Sequence, residues 1–133
     1  MINLTTKGRG IIEIDGVQFI LKPGDIVFLH NSNHHILKKM PGEDWEFSFI
    51  HIFESSLISR MYQAFITKNN YISSNNDISF YLTFFNKIGN LLAQKQDKYE
   101  LEISIQIYSL ILNLISSVPQ KENLKISSSI SGI

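Results

Sequence analysis

Cysteine is missing from the chain altogether. That excludes a disulfide framework and a thiolate zinc site, and it suits a reducing cytoplasm, where the protein is expected to reside. A surplus of charge is missing too, since 12 basic residues balance 12 acidic ones. A module that grips duplex DNA needs excess Lys and Arg to displace counterions from the phosphates. Only Arg9 and Arg60 are arginines, so direct nucleic-acid binding by this chain is not expected. No apolar run reaches the roughly 18 residues of a membrane-spanning helix, and the start lacks the basic-then-apolar order of a signal peptide. There is no Gly-x-Ser-x-Gly elbow and no Gly-rich phosphate loop. The one glycine cluster, Gly8-Arg9-Gly10, precedes a strand-like run and not a helix. No catalytic residue, and hence no enzyme, is expected.

What is present is enough apolar sequence for one core: 44% of the 133 residues are hydrophobic. Residues 1–53 carry strand and turn signals, residues 54–118 helical ones, and residues 119–133 form a polar, Ser-rich tail. Strands followed by helices indicate an α+β fold. The clearest local signal is Asp15-Gly16, set between two β-rich runs. Both central residues of a type I′ hairpin turn have positive φ, which Asp tolerates and Gly accepts freely. A two-residue loop fixes the register, so Ile14 faces Val17, Ile12 faces Phe19 and Gly10 faces Leu21, with Glu13–Gln18 and Ile11–Ile20 on the opposite face. Lys22-Pro23-Gly24-Asp25 has Pro and Gly where a type II turn wants them. Further strands are expected at Ile26–His30, His34–Leu37 and Trp45–Phe53, the last with Phe47, Phe49, His51 and Phe53 on one face. Short strands with Gly or Pro at the corners suggest a barrel or sandwich.

Three helices follow. Ser55 or Ser56 caps the first, with Leu57, Met61 and Phe65 as its stripe. Asp77 caps the second, with Ile78, Leu82, Phe85, Ile88 and Leu92 in line. The third, about Asp97 to Ser117, carries two stripes: Leu101, Ile105, Tyr108, Leu112, Ile115, and Ile103, Ile107, Leu110, Ile111, Leu114. Two adjacent stripes are too wide for a helix lying on one surface, so this helix is expected to pack on its own domain and on a second copy.

Gly24-Asp25-Ile26-Val27-Phe28-Leu29, His34-His35, Pro41 to Phe47 and Phe49-Ile50-His51 form an ordered series. It resembles the effector-binding domain of AraC-type transcription regulators, over about residues 2–118. The resemblance implies a cupin-like, jelly-roll antiparallel β-barrel followed by a C-terminal helical layer. It implies a bacterial, cytoplasmic sensor domain for a small molecule, often a sugar, and a homodimer through the last helix. The chain ends at Ile133, so the expected object is the sensing part of such a regulator without its helix-turn-helix half. Matched position by position, Thr5, Gln18, His35, Ile36, Phe47 and Phe49 fall at or beside ligand positions of the family. Arg9, a lone arginine at a barrel corner, could fork onto a hydroxyl pair or a carboxylate, and His51 closes the aromatic strand. The implied dimer residues are Leu101, Ile105, Tyr108, Leu110, Ile111 and Leu114.

Plainer readings stand beside these. Phe47 and Phe49 also suit core filling, Thr5 also suits a simple strand position, and Gln18 opposite Glu13 also suits a solvated outer pair. His34 and His35 are adjacent, so in a strand only one looks inward, and His35 is the favoured one. A metal-dependent cupin enzyme would need three converging ligands, for which His30, His35 and His51 are the candidates; no metal or other cofactor is expected. A ligand-free dimeric scaffold is the third alternative.

Overall fold

The computed structural model describes residues 1–117 apart from 54 and 69; the tail expected at 119–133 lies outside the described residues. Among the described residues seven strands and three helices follow one another: β1 Ile2–Lys7, β2 Gly10–Ile14, β3 Val17–Leu21, β4 Ile26–Phe28, β5 His35–Lys39, β6 Glu46–Ile50, α1 Ser56–Lys68, β7 Ile72–Ser73, α2 Ile78–Ala93 and α3 Glu100–Ser117. A 3-10 turn at Asp97–Tyr99 leads into α3.

The strands pair antiparallel in two sheets, ordered β6-β1-β4-β7 and β3-β2-β5. Among the described residues these ladders make two sheets and not the single closed ring that a barrel implies. The α+β expectation holds. The β2–β3 hairpin has the expected register throughout, from Ile14↔Val17 to Gly10↔Leu21. Its turn residues have the positive φ that the two-residue loop demands, 48° at Asp15 and 86° at Gly16. Gly24 has φ 91° and the Asp25 N–H donates to the Lys22 carbonyl at 2.9 Å, as a type II turn requires. The strand expected at Ile26–His30 stops at Phe28, and β7 was not foreseen.

The chain crosses from the first sheet to the second at Gly8. Its φ is +67°, and a Cβ there would overlap the Asp44 carbonyl, so no other residue fits this corner without rearrangement.

The central strands β1 and β4 of the first sheet are buried on both faces, which makes a three-layer domain. One face carries Ile2, Leu4, Ile26 and Phe28 against the helices. The other carries Val27 toward Ile12, Ile14 and Leu21 of the second sheet. On α1 the buried stripe is Ile58, Met61, Tyr62 and Phe65, an i, i+3, i+4, i+7 face that meets Phe28. Leu57, expected in that stripe, is exposed. The Ser55 hydroxyl caps the helix by accepting from the Ile58 N–H at 3.1 Å. Asp77 caps α2 as expected, accepting from the Phe80 N–H at 3.1 Å, but Leu92 is exposed and Tyr81 takes a core place instead. Among the described residues no helix is long and apolar enough to cross a membrane.

Candidate functional site

In a strand, alternate residues face opposite sides, and partners directly across an antiparallel pair share a face. Ile2 and Leu4 point at the helices, so Asn3 and Thr5 point between the sheets. Their partners follow: Asn3 stands opposite Phe49 and Val27, and Thr5 opposite Phe47. β6 thus puts Phe47 and Phe49 on this face, and the residues flanking it, Trp45 and His51, continue the row of rings. Trp45 and Phe47 have centroids 4.5 Å apart, Phe47 and Phe49 6.1 Å, Phe49 and His51 5.3 Å. The ladder runs from half-buried Trp45 to exposed His51, with Phe49 53% exposed near its outer end.

Trp45 is fixed at two points. Its indole N–H donates to the Thr5 hydroxyl oxygen at 3.2 Å, and its ring lies on Gly10, where a Cβ would overlap the indole carbons. The polar groups of this face are few. Thr5 is fully buried. So is Asn3, and neither its amide oxygen nor its amide nitrogen has a hydrogen-bond partner among the described residues. On the facing sheet, His35 pairs with Ile14, whose side chain is buried, so His35 is the inward histidine of the pair. The exposed neighbour His34 uses its backbone N–H to bind the Asp15 carboxylate at 3.1 Å.

Thr5, Phe47 and Phe49 therefore share one face, with His35 on the facing sheet; His51 lies past the end of β6, against the Phe49 ring, and lines the groove beside α3. Arg9 and Gln18 lie elsewhere. Arg9 is exposed and donates to Glu43 at 3.1 Å, and the guanidinium holds the Glu43 carboxyl below its usual range. Gln18 lies on the outer face of the second sheet, opposite Glu13, and donates to it at 3.4 Å. Lys38 reaches the same carboxylate at 3.2 Å and is the main cause of its lowered pKa, the Gln18 amide adding to it. The solvated-pair reading of Gln18 is the one the geometry matches.

Among the described residues no three His, Asp or Glu side chains come together in a way that could hold an ion. His30 belongs to a different neighbourhood, with Ser32 Oγ 2.8 Å from its Nδ1 and the Tyr62 ring 5.4 Å away.

The buried, unpartnered Asn3 amide is not among the site residues expected from the sequence. The available signal was an amide in a strand whose neighbours Ile2 and Leu4 demand one buried face, which leaves the other face for Asn3 and Thr5.

On α3 the two stripes separate. Leu110, Ile111 and Leu114 are fully buried in the chain's own core, so in this fold their side chains are not available to a second copy. Leu101, Ile105 and Leu112 are exposed, Leu101 to 72%; Tyr108 and Ile115 are half-buried. Beside them, between the end of β6, α1, α2 and α3, runs a groove of about 460 Å³ lined by Ile50, Ile58, Ile88, Ile103, Ile107 and Tyr108, with His51, Ser55, Glu100 and Ser104 as its polar groups.

Two packed antiparallel sheets backed by helices carry a ring-lined and sparsely polar face between them. The chain matches the family of AraC-like ligand binding domains over residues 1–111. It belongs to that family, whose members are ligand-sensing regulator domains. No curated protein matches the chain.

Proposed function

We propose that the chain is the sensing and dimerisation domain of a bacterial AraC-type transcription regulator, and that its effector is a sugar held between the two sheets. The sheets are read as the two halves of a cupin-type jelly roll. The observation that carries the reading is the ring ladder Trp45–Phe47–Phe49–His51 running beside buried Thr5. A sugar needs aromatic faces for its apolar C–H surfaces and a few fixed polar groups for its hydroxyls. Phe47 and Phe49 supply the first. Thr5, His35 and His51 supply the second; the Thr5 oxygen accepts from Trp45, which leaves the hydroxyl proton for the ligand. The second copy is taken on the exposed stripe Leu101, Ile105 and Leu112 of α3, with Tyr108 at its edge. The balanced charge gives this chain no part in contacting DNA. Effector binding acts by favouring the conformation that binds it better, by no more than that difference in affinity.

The test is a melting-temperature screen with neutral sugars and small carboxylates. A ligand that binds the folded chain raises Tm with its concentration. At least one sugar should do so, and Phe47→Ala should abolish the rise. A rise that survives Phe47→Ala, or rises confined to carboxylates, contradicts the reading.

A further inference from the structure

Four polar or charged side chains are buried among the described residues: Asn3, Thr5, Asp25 and Ser73. Three have partners. Thr5 accepts from Trp45, Asp25 accepts from the Lys22 backbone N–H and ammonium at 2.9 and 3.2 Å, and Ser73 donates to Asn76 at 3.4 Å. Asn3 alone has none for either amide atom. It also occupies a costly place. β1 is a central strand, flanked by β6 and β4, and Asn is a poor residue for a central strand. An apolar side chain of similar size would fit between Phe49 and Val27 with no orphaned groups, and an unpaired buried amide lowers stability.

We infer that Asn3 anchors the effector, and that the effector is a neutral molecule presenting a hydrogen-bond donor beside an acceptor, such as a vicinal diol or an amide edge. This rests on the between-sheets site proposed above. The amide offers a donating nitrogen and an accepting oxygen side by side, so a diol or amide satisfies both at once. A carboxylate offers only acceptors and leaves the Asn3 oxygen unpaired. The layer around Asn3 is apolar, with Val27, Leu29, Ile12 and Ile14 buried in it and Ile72 packed against them. A net charge there would be buried without a counterion, which is strongly unfavourable. The place of Asn3 next to Phe49 gives one ligand both a ring to lie on and an amide to bind.

The experiment uses the wild-type chain, Asn3→Leu and Phe47→Ala, with three probes: D-xylose, acetamide and acetate. The first two are neutral and carry the paired donor and acceptor; the third is anionic. Without probe, Asn3→Leu should melt at or above the wild type, because the substitution removes two orphaned polar atoms and keeps the volume. D-Xylose or acetamide should raise the wild-type Tm, and acetate should not. In Asn3→Leu the affinity for the active probe should fall by at least about tenfold. Asn3→Leu melting well below the wild type would show the amide to be structural and overturn the inference. So would a wild type unmoved by both neutral probes, which leaves water as the partner of the amide. A rise kept in Asn3→Leu but lost in Phe47→Ala removes Asn3 and retains the site between the sheets. A rise untouched by either substitution removes the site as well.

Discussion

The Trp45 indole N–H donates to the Thr5 hydroxyl oxygen at 3.2 Å, joining residues 40 apart in sequence across the edge of the first sheet. Both belong to the ring-lined face. Thr5→Val keeps the shape and deletes the acceptor. A half-buried indole N–H then loses its partner, which costs about 1–3 kcal/mol. Urea unfolding should show that loss, and Trp45→Phe in the Thr5→Val background should cost less than Trp45→Phe alone. Strictly additive losses would mean the two do not interact.

Gly10 is the floor on which Trp45 rests. Gly10→Ala places a methyl group inside the indole ring, so the ring must leave or the strand must shift. Overpacking of this kind costs typically about 1–3 kcal/mol. The single tryptophan makes the displacement visible: its emission should move to the red in Gly10→Ala. Unchanged emission and Tm would contradict this packing.

The two stripes of α3 make opposite expectations. Leu101→Asp with Ile105→Asp changes exposed positions, and should convert a dimer to a folded monomer by analytical ultracentrifugation with little change in Tm. Leu110→Asp with Leu114→Asp buries two carboxylates in the chain's own core, and should unfold the domain outright. A wild type that is monomeric at tens of micromolar removes the proposed dimer.

Acid stability has a local source. Lys38 holds the Glu13 carboxyl below its ordinary range, and Arg9 does the same for Glu43. A carboxyl whose folded pKa is depressed contributes stability above its unfolded pKa, near 4.3, and loses it as pH falls through the folded value. Glu13→Gln with Glu43→Gln should therefore flatten the loss of Tm below about pH 5. Both pairs are at the surface, so the difference should shrink in high salt. Tyr62 works at the other end. Burial raises its hydroxyl pKa, so its contribution is complete below about pH 10 and is lost as pH rises through the folded value. An acid limb of equal slope in the double variant would contradict the first half of this account.

Much of the fold was legible because its signals are local. The Asp15-Gly16 loop set the hairpin register, and Pro23-Gly24 set the next corner. What was not legible depends on contacts far apart in sequence. Arg9 reads as a free corner arginine until Glu43, 34 residues on, is brought beside it. Gln18 was paired correctly with Glu13, but pairing alone does not say which face of the hairpin turns inward. Leu57 was misplaced because the α1 stripe is wider than one i, i+4 row and is centred on the Phe28 contact. Asn3 was passed over because nothing local marks β1 as buried on both faces; the helices cover one and the second sheet the other.

The most direct test of a ligand site between the sheets is an NMR titration with a neutral sugar that raises Tm. One tryptophan gives one indole N–H signal, and Trp45 begins the ring ladder. Binding should shift that signal together with the Asn3 amide and the Phe47 and Phe49 resonances, and leave Leu101 and Ile105 in place. A sugar that binds while the Trp45 indole stays still and the α3 residues move would contradict the account.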